Sequence, residues 1–367
     1  MYLFLTQCFP SRLGGIESLV SNLALSLSEQ KKVIVFADKY HLIQDALFDD
    51  KYKKFISVRR YGGLKFFRRR KKVKELKLFL ESNQLELVIA DTWKSLEFCI
   101  DYLNNKKIPV MCLAHGNELL YSNNINKKNR IISTLSKTKN IIANSSYTAS
   151  VVKDLLGNKK EIKFVLPGAN DLRNIDSDNF FNIKGDPVIL TLGRLEKRKG
   201  HKLVLHAIQI IKTVFPNIKY LIAGEGKEKQ NLIKLSKEYN IKNNVDFIGS
   251  VNESQKKFLF ENVDLMIMPT IDDTNNRSIE GFGIAYIEAA FFGIPSLVTN
   301  VGGTTEAVLH DKTGIVVNEN EDLANTIIQL ISKKDKLRFL GKNAKDRAIS
   351  QFNWKEVSKK YISLLEN

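Results

Sequence analysis

The chain has 367 residues, of which 43% are hydrophobic and 26% charged, so it can bury ordinary globular cores and is long enough for two domains. A formal net charge of +17 favours anionic partners, namely phosphorylated ligands, anionic lipid or nucleic acid. The sequence contains no run of about twenty apolar residues, and residues 1–5 lack the leader of a secretory signal, so we expect a cytoplasmic protein.

Short apolar runs alternate with helical patterns in the first half of the chain. The runs that have the length of buried strands are residues 2–5, 33–37, 87–90, 110–114, 141–143 and 162–166. Helical periodicity follows at residues 16–28 and 147–156. This alternation predicts a parallel sheet with helices on both faces, the doubly wound α/β class. Gly14 and Gly15 lie in the turn between the first strand and its helix.

A strongly basic segment interrupts this pattern at residues 51–77, where thirteen basic residues stand against one acid, Glu75, for a net charge of 13 − 1 = +12. Five consecutive basic residues begin a helical pattern: Arg68, Arg69, Arg70, Lys71 and Lys72. We expect them to form a cationic outer face that contacts an anionic membrane surface, in a manner that weakens as salt rises. A solvated surface is the alternative. Nucleic-acid binding would also need stacking aromatics or a recognised module, and the sequence has neither.

The second half of the chain begins after a polar stretch, residues 171–186, which we predict to be an interdomain linker. Asp176-Ser177-Asp178 has the spelling of a metal-binding Asp-x-Asp, but it lies in this linker, so we predict no metal site. Strand-like runs then resume at residues 188–192, 219–223, 245–248, 265–268 and 296–299. They predict a second doubly wound domain.

The most informative motif follows the run at 265–268. It places Glu280 and Glu288 eight residues apart around the helix start Phe282-Gly283-Ile284. Backbone amides at a helix start form an anion site, and glycine lets a phosphate approach the main chain closely. Glutamates near a helix start also favour the helix dipole for structural reasons alone.

Two further glycine loops follow strand-like runs of the second half. In Gly193-Arg194…Lys199-Gly200, Arg194 and Lys199 can converge on one diphosphate, although a solvated basic loop is the alternative. In Ala223-Gly224-Glu225-Gly226, Gly224 comes directly after the strand. One glycine loop is weak evidence, but three at the strand ends of one domain indicate a phosphate-bearing ligand.

Together these motifs resemble the retaining glycosyltransferases of family 4, and the likeness runs over nearly the whole chain. Further matching segments are Phe247-Ile248-Gly249, Thr299 to Val308 (with Thr305 where many members have proline), Asp311-Lys312-Thr313-Gly314, Gly14-Gly15-Ile16-Glu17 and His115-Gly116-Asn117-Glu118. The resemblance implies the GT-B fold, in which two Rossmann-like domains face a central cleft. The expected domains are residues 1–170 plus 352–367 on the acceptor side and 187–351 on the donor side, with the final helix crossing back to the first domain.

The resemblance also implies a role for each motif. Arg194 and Lys199 would stabilise the leaving diphosphate, Glu288 would bind the ribose, and Glu280 and His115 would act on the donor sugar as catalytic residues. Donor phosphates would meet glycine loops and backbone amides at Gly14, Gly15, Gly224, Phe282, Gly283 and Ile284.

The expected reaction needs no metal or cofactor, because fixed cations and amides meet the charge of the leaving group. The expected partners are a UDP- or GDP-linked hexose and a lipid or membrane-linked glycan at the inner membrane face, with no nucleic acid. Three alternatives remain open: a soluble acceptor, an epimerase or phosphorylase of the same fold, and a nucleic-acid-binding protein that uses residues 51–77.

Overall fold

The computed structural model describes residues 1–157, 160–177, 180–276, 278–318 and 322–366. Within them the chain forms two compact units. The first comprises Met1–Gly168 together with the chain end from Trp354 onward, and the second comprises Ala169–Asn353.

Parallel strands form one sheet in each unit. The strands of the first unit are β1 Tyr2–Leu5, β2 Val33–Asp38, β3 Ile56–Tyr61, β4 Leu87–Ala90, β5 Val110–Ala114, β6 Asn140–Ala143 and β7 Lys163–Phe164. Those of the second unit are β8 Val188–Leu192, β9 Lys219–Ala223, β10 Val245–Gly249, β11 Leu265–Met268, β12 Ser296–Thr299 and β13 Gly314–Val317.

Helices connect the strands. In the first unit they are α1 Gly15–Ser28, α2 Leu42–Tyr52, α3 Lys65–Ser82, α4 Trp93–Leu96, α5 Ile100–Asn105, α6 Ile125–Ser136 and α7 Ser146–Leu156. In the second unit they are α8 His201–Ile211, α9 Lys229–Glu238, α10 Glu253–Glu261, α11 Ile284–Phe291, α12 Thr304–Ala307, α13 Leu323–Ser332 and α14 Lys334–Gln351, before the final α15 Trp354–Glu366.

Both sheets reverse their strand order at one point. The orders are β3-β2-β1-β4-β5-β6-β7 and β10-β9-β8-β11-β12-β13. All neighbouring strands pair in parallel. The order therefore reverses between β1 and β4 in one sheet and between β8 and β11 in the other. In doubly wound sheets the loops at the carboxyl ends of such strands form the ligand crevice. The predicted doubly wound class is confirmed for both units.

Helices cover both faces of each sheet, and this is why the central strands have no polar face. Every residue of β2 and β5 is buried. Helix α1 turns Leu19, Leu23 and Leu27 to the sheet at intervals of four residues. Helix α15 buries Val357 and Tyr361 in this same core, so the end of the chain completes the first unit.

Residues 171–186, predicted to be an interdomain linker, pack in their described part within the second unit. Leu172 is buried, the Arg173 guanidinium lies 5.9 Å from the Phe291 ring, and Lys257 Nζ donates to the Ile175 carbonyl at 2.7 Å. These anchoring contacts could not be predicted, because the composition of this stretch is mostly polar. Asp178 of the Asp-x-Asp spelling lies outside the described residues.

Among the helices of the described residues, none has the length and apolar character needed to cross a bilayer.

Candidate active site

Three glycine loops meet at the carboxyl edge of the second sheet. Gly193 N donates to the Ala223 carbonyl at 2.9 Å, Leu195 N to the Glu225 carbonyl at 3.0 Å, and Gly224 N to the Gly249 carbonyl at 2.7 Å. A Cβ on Gly224 would collide with the Gly193 carbonyl, so this approach requires glycine. The turns after β8, β9 and β10 are thereby held together as one rigid rim.

A buried cluster of three charges lies beside this rim. Lys199 Nζ and Arg198 Nη1 each donate to Glu280 Oε2 at 2.6 Å. Arg198 is 5% exposed and Lys199 8% exposed. The Glu280 carbonyl also accepts from Gly303 N at 2.9 Å, which connects the loops after β11 and β12. Two cations share one carboxylate, so these three side chains together carry one net positive charge.

The pKa values in this cluster reflect competition between burial and pairing. Burial alone would raise the pKa of Glu280, but attraction and hydrogen bonds from Lys199 and Arg198 outweigh it and lower the pKa to about 2. Burial lowers the pKa of Lys199, and Glu280 offsets only part of that effect. Glu280 is therefore a carboxylate throughout the physiological range.

Arg194 lies on the outer side of the same turn. Its side chain is 62% exposed, and its Nη1 lies 2.7 Å from Glu196 Oε1. The other oxygen of Glu196 lies 3.3 Å from Arg198 Nε, so Glu196 connects Arg194 to the buried cluster. Arg194 and Lys199 are predicted from the sequence, whereas Arg198 was missed, although the basic run Lys197-Arg198-Lys199 could have indicated it.

The start of α11 presents backbone amides beside Glu280. Gly283 has φ +103°, and a Cβ there would collide with the Tyr286 ring. Phe282 is buried against Phe352, with ring centroids 5.8 Å apart, and this contact fixes the turn. Within the described residues, the N–H groups of Phe282, Gly283 and Ile284 donate to no carbonyl or side chain. Free amides at a helix start can bind an anion, and the anion site expected at these three residues stays a prediction.

Glu288 lies in the second turn of α11 and is 8% exposed. Lys256 Nζ on α10 donates to both of its oxygens, at 2.8 and 3.1 Å. Lys256 is a residue that sequence reasoning missed, because 32 positions separate it from its partner and no motif marks it.

His115 lies at the carboxyl edge of the first sheet, just after β5. Its ring Nε2 lies 2.8 Å from the Asp91 carbonyl oxygen, and the backbone N–H of His115 donates to Glu118 Oε1 at 2.7 Å. Because a carbonyl oxygen only accepts, Nε2 is the donor in this contact and carries a proton. Asp91 is itself fixed by Ser95 and by the loop after β1, so the ring has a defined orientation.

Gly14 and Gly15 occupy the predicted turn after β1. Gly14 is the N-cap residue of α1, and Gly15 is the first residue of that helix. Glu17 in the first helical turn is buried, and its carboxylate lies 2.9 Å from Arg12 Nε. The turn borders the point where the strand order of the first sheet reverses.

The predicted cationic face of α3 requires correction. Arg69 and Lys72 are 8% and 5% exposed. Arg69 pairs with Glu97, and Lys72 Nζ donates to Asp38 Oδ1 at 2.6 Å and to the Thr6 carbonyl at 2.7 Å. These two side chains lie on the buried face of α3 and hold this helix to the sheet.

The other three residues of that group lie farther out. Arg68 pairs with Asp38 at 2.7 Å and is 20% exposed, whereas Arg70 and Lys71 are exposed. Neutralising all five residues together would therefore break buried ion pairs as well as remove surface charge. Of these five residues, Arg70 and Lys71 are the exposed ones that can reach a membrane, and that contact is still a prediction.

Two Rossmann-like units, each built on a parallel sheet with one of these strand orders, define the GT-B fold class. The family model "Glycosyltransferase Family 4" matches residues 13–172, and "Glycosyl transferases group 1" matches residues 173–347. The two models together cover most of the chain, and the protein belongs to this family of glycosyltransferases.

Curated relatives are distant and matched in part. A GDP-mannose-dependent alpha-(1-6)-phosphatidylinositol monomannoside mannosyltransferase of Mycobacterium tuberculosis is 25% identical over 236 residues, 60% of each chain. The alpha-1,3/1,6-mannosyltransferase ALG2 of Dictyostelium discoideum is 26% identical over 263 residues, 62% of this chain and 60% of the relative. The matches thus span about 60% of the relatives' own length.

Solved structures match along the whole chain. Anabaena HepE in complex with UDP superimposes with a TM-score of 0.80 at 18% identity, covering 100% of this chain and 99% of the other. Sucrose-phosphate synthase from Thermosynechococcus elongatus gives 0.79 at 19% identity, with 100% and 98% covered. At these identities the similarity shows the fold.

Proposed function

We propose that the protein is a retaining, metal-independent glycosyltransferase that moves a glucose- or mannose-type hexose from a UDP- or GDP-linked donor. The acceptor is a lipid or membrane-linked glycan at the cytoplasmic face of the membrane. The observation that carries the proposal is the Arg198–Lys199–Glu280 cluster beside the free amides of α11. Family membership and the GDP-mannose-dependent relatives support it.

The chemistry follows from where charge develops. As the bond from the sugar to the diphosphate breaks, negative charge builds on the leaving oxygens, and fixed donors that await this charge stabilise the transition state. Lys199, with Arg198 behind it and Arg194 on the outer side, would supply the cations. The amides of residues 282–284 would supply the neutral donors. These groups can meet the diphosphate charge without a divalent ion.

The remaining roles are those that the family implies. Glu288 would accept hydrogen bonds from the ribose, and Glu280 would accept them from the sugar hydroxyls. His115 would contact the sugar with the ring orientation that Asp91 sets. Gly14, Gly15 and Gly224 would let the phosphates approach the main chain.

The test is a transfer assay with UDP-glucose and GDP-mannose in the presence of EDTA, with membrane lipid extract or soluble oligosaccharides as acceptors. We expect transfer to lipid extract, with the anomeric configuration of the donor kept in the product when it is read by NMR. Inversion at the anomeric carbon, or an absolute requirement for Mg²⁺ or Mn²⁺, would contradict the mechanism. Transfer only to soluble oligosaccharides would show that the acceptor is soluble and would contradict the proposed membrane-linked acceptor.

A further inference from the structure

Two neighbouring loops at the carboxyl edge of the first sheet expose large apolar side chains. Strands β2 and β3 end side by side, and Lys39 N donates to the Tyr61 carbonyl at 2.8 Å. Around the starts of α2 and α3 lies a set of side chains that are 64% to 75% exposed: Tyr40, Leu42, Ile43, Leu64 and Phe67. We name these five residues the apolar edge. Side chains of this size are more often buried, so an exposed cluster of them marks an interaction surface.

The start of α2 is held firmly while its apolar side chains point outward. Asp45 Oδ2 accepts from Tyr40 N at 2.8 Å and from His41 N at 3.1 Å, and Oδ1 accepts from Ser11 Oγ at 2.7 Å. Arg60 Nη1 lies 3.2 Å from the same carboxylate. Leu42 and Ile43 are therefore presented from an ordered helix start.

The start of α3 is braced in a comparable way. Arg68 Nη1 donates to the Gly63 carbonyl at 3.1 Å, and the Arg70 guanidinium lies 4.1 Å from the centre of the Phe66 ring. Phe66 also packs edge-on against Phe98, with centroids 6.1 Å apart. Leu64 and Phe67 thus project from a fixed turn.

The charges around the apolar edge are of one sign. Residues 39–44 and 62–71 contain no acid. Their exposed cations are Lys39, Lys65, Arg70 and Lys71. Exposed apolar side chains with exposed lysine and arginine in the same two segments match the boundary of an anionic leaflet, where apolar groups enter the acyl region and cations meet phosphates.

We propose that the apolar edge inserts into an anionic lipid surface, with Lys39, Lys65, Arg70 and Lys71 at the level of the headgroups. A second copy of the chain fits this surface less well, because a symmetric dimer contact would place these four cations against the same four cations of the other copy. The inference builds on the membrane part of the proposed function. It replaces a purely electrostatic contact by one in which burial of apolar surface holds the protein.

The test is co-sedimentation with vesicles of phosphatidylglycerol and phosphatidylcholine, at low and high salt. The wild type should bind at low salt and keep part of that binding at high salt, since screening weakens charge contacts and leaves apolar burial in place. Leu64→Ser with Phe67→Ser should lower the partition coefficient about tenfold or more. Serine suits position 64, the N-cap of α3, so the fold should persist.

The matched control is Phe55→Ser with Leu78→Ser. These side chains are 59% and 47% exposed but lie before β3 and late in α3. The control should bind as wild type does. The proposal fails if the wild type ignores anionic vesicles, if high salt releases it fully, or if control and test variants lose binding equally. It also fails if the test substitutions dissociate a dimer in analytical ultracentrifugation. Calorimetry with UDP and GDP reports separately on the proposed donor site, which these substitutions should leave intact.

Discussion

Glu280 is held by two cations, and this arrangement determines how pH should act on the proposed donor site. The pKa of Glu280 is about 2, below the value of about 4.3 for an unpaired glutamate. Its ionised form therefore stabilises the folded state above about pH 4.3, and this contribution is lost as the pH falls through about 2. Acid effects on nucleotide binding near neutral pH must come from other groups.

At alkaline pH, nucleotide affinity should depend on the protonation of Lys199. Burial lowers the pKa of Lys199, and Glu280 holds it up in part. Glu280→Gln should lower this pKa further, so nucleotide affinity should fall at a lower alkaline pH than in the wild type. Lys199→Arg should remove this alkaline decline, because arginine keeps its proton. Calorimetric titration from neutral to alkaline pH measures both, and an unchanged midpoint in Glu280→Gln would show that Lys199 is not the titrating group.

Lys256 should act on the donor through Glu288. Its ammonium holds both oxygens of a buried carboxylate, so Lys256→Met should leave Glu288 without its partner. We expect KM for the nucleotide-sugar to rise about tenfold with kcat nearly unchanged, and Lys256→Arg to restore most of it. The control is Lys257→Met on the same helix, whose ammonium contacts Glu261 and the Ile175 carbonyl. Equal effects in both variants would make the Lys256 contact merely structural.

His115 should affect turnover more than nucleotide affinity. It lies in the first unit, and its ring is oriented by the Asp91 carbonyl, whereas the proposed nucleotide contacts all lie in the second unit or in the turn after β1. His115→Ala should therefore reduce kcat strongly and leave the Kd for the nucleotide almost unchanged. Equal losses in kcat and affinity would make it a binding residue.

At the level of elements, the start of α11 offers a test of why glycine is required. Gly283 and Gly293 border the same helix, with φ +103° and +78°. A Cβ on Gly283 collides with the Tyr286 ring, whereas on Gly293 the nearest atom is 3.7 Å away. Gly293→Ala should cost about 1–2 kcal/mol in the free energy of unfolding, and Gly283→Ala more, with loss of nucleotide binding. Chemical denaturation measures the difference, and equal costs would mean that the Tyr286 contact is unimportant.

The elements that the sequence predicted best are those buried on both faces. Strands β1, β4 and β8 appear in the sequence as continuous apolar runs, since helices cover the sheet on both sides. Strand β3 was missed because it is an edge strand, in which Arg59 and Arg60 interrupt the apolar pattern. Its pairing with β2 depends on contacts between distant residues that local composition does not encode.

In the candidate site, too, some features could be predicted from the sequence and others could not. Glycines and charged residues at strand ends could be predicted, since the carboxyl ends of parallel strands share one edge. The pairing of Glu288 with Lys256 and the orientation of His115 by Asp91 could not, because each joins separate elements without a motif.

For the whole molecule, net charge in a segment proved a poor guide to its surface. Acids elsewhere in the chain pair with basic residues of the 51–77 segment, among them Asp38, Asp45, Asp49, Asp50 and Glu97. Folding therefore places Arg60, Arg68, Arg69 and Lys72 in buried or partly buried ion pairs, while Lys65, Arg70 and Lys71 stay exposed beside the apolar edge. The proposed membrane contact follows from this distribution, and the net charge alone does not establish it.

The second unit should bind the diphosphate of a nucleotide-sugar without a metal. The most direct measurement is calorimetric titration of the wild type, Lys199→Ala and Lys202→Ala with UDP, GDP and ADP in the presence of EDTA. Lys202 is exposed on α8 and serves as the matched control. We expect the wild type and Lys202→Ala to bind one of these nucleotides equally, and Lys199→Ala to lose about 2 kcal/mol, roughly thirtyfold in affinity. Unchanged affinity in Lys199→Ala, or no nucleotide binding by the wild type until a divalent ion is added, would contradict this expectation.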